Sequence, residues 1–161
     1  MTARRGCPGT CDPSVRCSAC ASRRTRAEAN ARASGLVEAV RVTLVQSGTA
    51  LLWRNNVGQA RYGAAVVRYG LGVGSPDLVG ILRHEGGRAL GVECKDAGGE
   101  LEYEQACWLR AWTAAGGLGI VARSVEDACA VMVPGPARDA VVERTREEIE
   151  AAIARRERRR A

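Results

Sequence analysis

Among 24 basic side chains the chain has one lysine, Lys95, and it has a single histidine, His84, and no phenylalanine. Other scarcities narrow the function classes. No stretch approaches the ~20 apolar residues that a membrane span needs. The start, Met1-Thr2-Ala3-Arg4-Arg5-Gly6-Cys7, lacks the apolar centre of a signal peptide. A cytoplasmic protein is expected, and its seven cysteines are then thiols or metal ligands rather than disulfides. The glycine run Gly70-Leu71-Gly72-Val73-Gly74 has no Gly-Lys-Ser/Thr after it and leads into a strand, so it is not a phosphate-cradling loop. His84 falls in a connection of hairpin type and is assigned no chemistry.

What is present converges on the lone lysine. Arginine holds its proton and lysine can release it, so a chain that uses arginine everywhere else has kept a chemically distinct group at one place. Lys95 stands in Gly91-Val92-Glu93-Cys94-Lys95, downstream of Gly74-Ser75-Pro76-Asp77. Between them, Asp77 to Leu82 and Arg88 to Glu93 read as two strands, joined through Arg83-His84-Glu85-Gly86-Gly87. A hairpin centred near Glu85 sets Asp77 across the ladder from a residue close to Glu93. Alternation puts Glu93 and Lys95 on one face and Cys94 on the other. Two carboxylates and an ammonium then meet at one spot, enough protein ligands for a magnesium ion that also takes substrate phosphate. Each motif alone has a commonplace reading. Pro76-Asp77 is ordinary turn chemistry, and Glu93 with Lys95 makes an ordinary surface pair. Together they read as a divalent-metal site for hydrolysing a phosphodiester.

The motifs GSPDLVG and GVECK, followed by a helix carrying Gln105, resemble the PD-(D/E)xK nuclease superfamily, and more narrowly the virus-type replication-repair nuclease (VRR-NUC) domain. The resemblance runs from about Leu36 to Asp127 and includes Arg54-Asn55-Asn56-Val57-Gly58, Gln105-Ala106-Cys107-Trp108-Leu109 and Arg123-Ser124-Val125-Glu126-Asp127. It implies an α/β fold with a restriction-endonuclease-like mixed sheet flanked by helices. It also implies a DNA endonuclease using Mg2+ or Mn2+, held by Asp77, Glu93 and the Cys94 carbonyl, with Lys95 acting on the attacking water. Gln105 matches the family's helix glutamine, Arg54 its arginine motif with a phosphate contact, and Glu38 an additional acid at the metal. Stand-alone members are associated with branched DNA, including four-way junctions, and act as homodimers; both are carried over as expectations.

Three segments are expected. Residues 1–35 are cysteine-rich with a net charge of +5, residues 36–133 form the nuclease-like domain at −1, and residues 134–161 are a charged helix or tail at +2. Since neutralising phosphates supplies most nonspecific nucleic-acid affinity, the flanks are the expected clamps, with Arg23, Arg24 and Arg26 foremost. Cys7, Cys11, Cys17 and Cys20 suggest four-thiolate Zn2+, with a conventional Cys17-x2-Cys20 pair but a Cys7-x3-Cys11 spacing and a five-residue gap that are tight for it; the alternative is a disordered or redox-active tail. An alternative class follows, a noncatalytic, zinc-dependent nucleic-acid-binding protein built on a degenerate nuclease core.

Within the middle segment, Ser34 or Gly35 is expected to cap a helix through Leu36, Val37, Val40, Leu44 and Val45. Leu51 to Trp53 and Ala64 to Val67 read as strands flanking Arg54 to Gly63. A helix marked by Leu101, Cys107, Trp108, Leu109 and Trp112 ends at Gly116-Gly117, Gly119 to Ala122 is a last strand, and Ser124 with Asp127 opens a short helix. Residues 137–160 form the charged helix. Trp108 and Trp112 are expected to pack on the sheet, and Cys94, Cys107 and Cys129 to be small buried residues.

Overall fold

The structure, a computed structural model, describes residues 34–160. A helix over residues 34–46 (α1) opens it. Six strands, β1 (Ala50–Arg54), β2 (Gly58–Tyr62), β3 (Ala65–Tyr69), β4 (Leu78–Leu82), β5 (Arg88–Cys94) and β6 (Leu118–Ala122), share the chain with α2 (Tyr103–Ala114), α3 (Val125–Ala130) and α4 (Pro136–Arg158). A 3-10 turn, Arg83–Glu85, joins β4 to β5. The main sheet has the order β1-β4-β5-β6, antiparallel except for the parallel pair β5 and β6, while β2 and β3 form a separate two-stranded ribbon. This is the mixed α/β sheet flanked by helices that was expected.

Alternation along the strands sorts the sheet's two faces. Leu78, Leu82, Leu90, Val92, Cys94, Ile120 and Ala122 point to one side, where Val37, Val40 and Leu44 of α1, Ala128 of α3 and Val141 of α4 close over them. The valines and leucine of α1 recur at three- and four-residue spacing, which lines one side of a helix. On the opposite side α2 covers β5 and β6. Gly91 and Gly119 lie opposite each other in the ladder. A Cβ on either would stand 3.5 Å from Trp112 or 3.2 Å from Leu109. That glycine floor lets α2 sit close to the sheet, with Ala106, Leu109 and Val121 buried between them. Over β1 and β4 the same side is open, leaving Leu51 and Trp53 exposed.

The outer edge of β6 is closed by α4. Val121 donates its backbone N–H to Thr145 Oγ1 at 3.0 Å, so a strand edge that could pair with another chain is satisfied internally. Val141 of α4 enters one core and Ile149 and Ala152 the other. The change of charge at residue 134 therefore does not end the packed unit. At its start α4 is tied to the β4–β5 turn by the ion pair of Arg138 with Glu85.

Several local expectations are corrected. Ser34 and Gly35 already lie within α1, so neither caps it from outside. The stretch from Arg54 to Gly63 contains a strand, β2, because a two-residue turn begins at Gly63, whose φ of +61° suits glycine in a tight hairpin. Leu101 is buried ahead of α2 rather than in it. Cys129 is exposed and Cys107 half-buried, so of the three described cysteines Cys94 alone is buried. Among the described residues no helix is long and apolar enough to cross a membrane.

Candidate active site

The β4–β5 ladder fixes the two carboxylates. Leu78 pairs with Val92, so the next step outward sets Asp77 opposite Glu93. Asp77 Oδ2 accepts the Cys94 N–H at 3.0 Å. In an extended strand the N–H and C=O of one residue face the same edge, so the Cys94 carbonyl shares that edge with Asp77. The Cys94 thiol points into the core, where burial first and the neighbouring carboxylates second push its pKa well up. It is not a nucleophile.

Glu93 is 2% exposed, an unusual place for a carboxylate. Its Oε1 accepts from Gln105 Nε2 at 2.6 Å and from Lys95 Nζ at 3.0 Å. Its Oε2 is buried and has no hydrogen-bond partner among the described residues. Burial, and then the charge of Asp77, raise the Glu93 pKa to about 7 against the opposing pull of Lys95.

Gln105 does two things from the third position of α2. Its Oε1 accepts the Glu102 N–H at 3.0 Å, part of the helix cap, while its Nε2 reaches down to Glu93. The helix terminus therefore orients the side chain that holds the carboxylate.

Three residues that sequence reasoning left without a role position the others. Asn55, just past β1, donates from Nδ2 to Ser75 Oγ at 2.7 Å and to the Pro76 carbonyl at 2.9 Å, and its own N–H donates to the Asp77 carbonyl at 2.8 Å. The loop that delivers Asp77 is thus pinned from a strand twenty residues earlier. Beyond Lys95, Arg123 donates from Nη1 to the Asp96 carbonyl at 2.7 Å and from Nη2 to the Gly99 carbonyl at 3.0 Å, and its Nε and Nη2 grip Glu148 of α4 at 3.0 and 2.8 Å. So α4 buttresses the turn that follows the lysine. No local pattern in the sequence announces such long-range side-chain ties.

The remaining expected residues fall into two groups. Arg54 ends β1 opposite Leu78, one residue from Asp77 in the ladder, and is exposed. Glu38 is exposed on α1, with its carboxylate held by Arg41 at 2.6 and 2.9 Å. Arg41 first, and more weakly Arg54, hold its pKa down. Among the described residues no hydrogen bond or ion pair joins Glu38 to Asp77, Glu93 or Lys95. His84 is exposed in the β4–β5 turn, as expected. Arg23, Arg24, Arg26, Cys7, Cys11, Cys17 and Cys20 lie outside the described residues.

Asp77, Glu93 and the Cys94 carbonyl form a donor set of hard oxygens, which suits Mg2+ or Mn2+ rather than a soft metal. Among the described residues no cluster of three or more His, Cys, Asp or Glu side chains exists, so there is no all-protein cage. Magnesium does not require one, since it keeps waters and shares substrate phosphate. The unpartnered Glu93 Oε2 fits a cation directly. No protein-family model matches the chain, and no curated protein matches it.

Proposed function

We propose that this protein is a metal-dependent DNA endonuclease of the PD-(D/E)xK type, similar to VRR-NUC domains, which hydrolyses phosphodiester bonds in branched DNA. The observation that carries the reading is Glu93 Oε2: a carboxylate oxygen buried without a donor, beside a second carboxylate and the chain's one lysine. Burying a charge without a partner is costly, and a bound cation removes that cost. Asp77, Glu93 and the Cys94 carbonyl would hold the ion. When bound, it lowers the pKa of a water and screens charge on the phosphate.

The chain's own residues do the rest. Gln105 occupies Glu93 Oε1 and leaves Oε2 available. Lys95 orients the water and offsets the negative charge that develops on the phosphoryl oxygens. Asn55 and Arg123 fix the turns on either side. Arg54, at the rim, contacts a flanking phosphate. A homodimer sets two such sites on two strands of a symmetric junction, and the N-terminal cysteines take Zn2+, giving about one zinc per chain in purified protein.

The reading is tested with Asp77→Asn, which keeps the shape of the side chain and removes its charge. DNA binding without divalent ions should persist, and Mg2+-dependent cleavage should disappear. Equal cleavage by this variant removes Asp77 from the site and the reading with it.

A further inference from the structure

The ribbon of β2 and β3 leaves the chain at the site itself, between Asn55 and the Ser75-Pro76-Asp77 loop that Asn55 pins. It has no core: every residue of β3 is exposed, and β2 is at most half-buried. An isolated two-stranded hairpin is marginal in water, so one projecting from a folded domain calls for a partner. Directly paired residues share a face. Gln59 with Arg68 and Arg61 with Val66 therefore form one face, and Ala60 with Val67, Tyr62 with Ala65 and Gly58 with Tyr69 the other. Tyr62, at the turn, is 71% exposed.

Charge decides which partner. From residue 39 to residue 76 the sequence has no acidic residue, although it carries Arg41, Arg54, Arg61 and Arg68. Arg41 is spent on Glu38. Arg54, Arg61 and Arg68 make no ion pair among the described residues, and only Arg54 feels Glu38, weakly, while most arginines of α4 are paired. A second copy docking here would bring the same unneutralised arginines together. A polyanion neutralises them.

We infer that the β2–β3 hairpin is a nucleic-acid-binding arm, in which Arg61 and Arg68 take backbone phosphates and Tyr62 stacks on an unpaired base. A two-stranded ribbon is narrow enough for the major groove of a duplex, and a tyrosine at its tip serves strands whose bases are unstacked. The position of the arm beside the cleaved phosphate rests on the proposed nuclease function; its binding role does not. The arm selects substrates in which a duplex meets unpaired nucleotides.

The test is fluorescence anisotropy in EDTA, so that no cleavage intervenes, with a labelled single strand, a blunt duplex and a forked duplex as probes. Arg61→Ala combined with Arg68→Ala should weaken binding to all three about tenfold and reduce the slope of log affinity against log salt by about two. Tyr62→Ala should weaken the single strand and the fork about fivefold or more and leave the blunt duplex unchanged. Circular dichroism should match wild type, since these side chains are exposed. Unchanged affinities and salt slope for both variants overturn the arm. So does a wild-type dimer that Val67→Asp converts to monomer with DNA binding intact, because the hairpin is then a contact between copies. Loss of binding in a protein that never cleaves with Mg2+ or Mn2+ supports the arm and removes the nuclease reading. Cleavage with unaltered binding by the hairpin variants does the reverse.

Discussion

On strand β5, Leu90, Val92 and Cys94 face an apolar core closed by α1 and α3, and each is buried. The intervening Gly91 and Glu93 face α2, where one position has no side chain and the other carries a buried carboxylate with an unpartnered oxygen. Seven residues thus carry two opposite policies. One face removes apolar surface from water, which stabilises the fold. The other tolerates an electrostatic cost, which is typical of sites that act on charge. Strand periodicity keeps them apart, since a slip of one residue would exchange the faces.

Substitutions that break this division should separate stability from activity. The largest effect is expected for Asp77→Ala or Glu93→Ala. Either removes an oxygen that would hold the ion in the proposed site, and Mg2+-dependent cleavage should fall about 10³-fold or more, matching the several kcal/mol of charge stabilisation at stake. Single-turnover rates at saturating DNA measure it. Next is Leu90→Ala, on the other face of the same strand. It should lower unfolding free energy by about 3 kcal/mol through lost burial and a cavity, with the chemical step little changed where the protein remains folded. Denaturant titration checks the first half and the cleavage rate the second.

Glu93→Gln sharpens the comparison, because it should make the protein more stable and less active together. The Glu93 pKa is raised from 4.5 to about 7 in the fold. The folded state therefore holds the proton more tightly, and wild-type stability should fall as pH rises through that window. The amide carries no charge, so its advantage should be under about 1 kcal/mol at pH 5 and reach roughly 3 kcal/mol by pH 8. Melting curves in EDTA across that range measure it. A constant difference at all pH values would mean that Glu93 stays charged throughout. Smallest is Asn55→Ala, which should cost about 1–2 kcal/mol in lost hydrogen bonds. It should slow cleavage about tenfold by loosening the Asp77 loop, in line with the sensitivity of catalysis to small misplacements.

The same contrast explains what the sequence made legible. The sites of β4, β5 and β6, their connection through α2 and the shared face of Glu93 and Lys95 could be read because buried strands carry apolar runs and turns carry glycine. Even the register could be read, since the pairing of Leu82 with Arg88 centres the hairpin on Glu85. Strand β2 could not, because Gln59, Ala60 and Arg61 bury no face and so leave no period-two signal. Asn55, Arg123 and Glu148 were missed for a different reason. Their partners lie twenty or more residues away, and side-chain ties of that range follow from the finished fold rather than from local pattern. The seating of α4 was hidden by its charge, since Val141, Ile149 and Ala152 are few among so many arginines and glutamates.

The central claim is that Lys95 supplies something arginine cannot, and the most direct measurement is cleavage by Lys95→Arg. Labelled single-stranded, duplex, forked and four-way junction DNA would be incubated with saturating wild-type or variant protein in Mg2+, and single-turnover rates compared. The account predicts that wild type cleaves at least the branched substrates. It also predicts that the variant, with its charge preserved and its DNA affinity unchanged, is slower by about 10²-fold or more. Cleavage by Lys95→Arg at the wild-type rate would contradict it, as would a wild-type protein that cleaves none of these DNAs with Mg2+ or Mn2+.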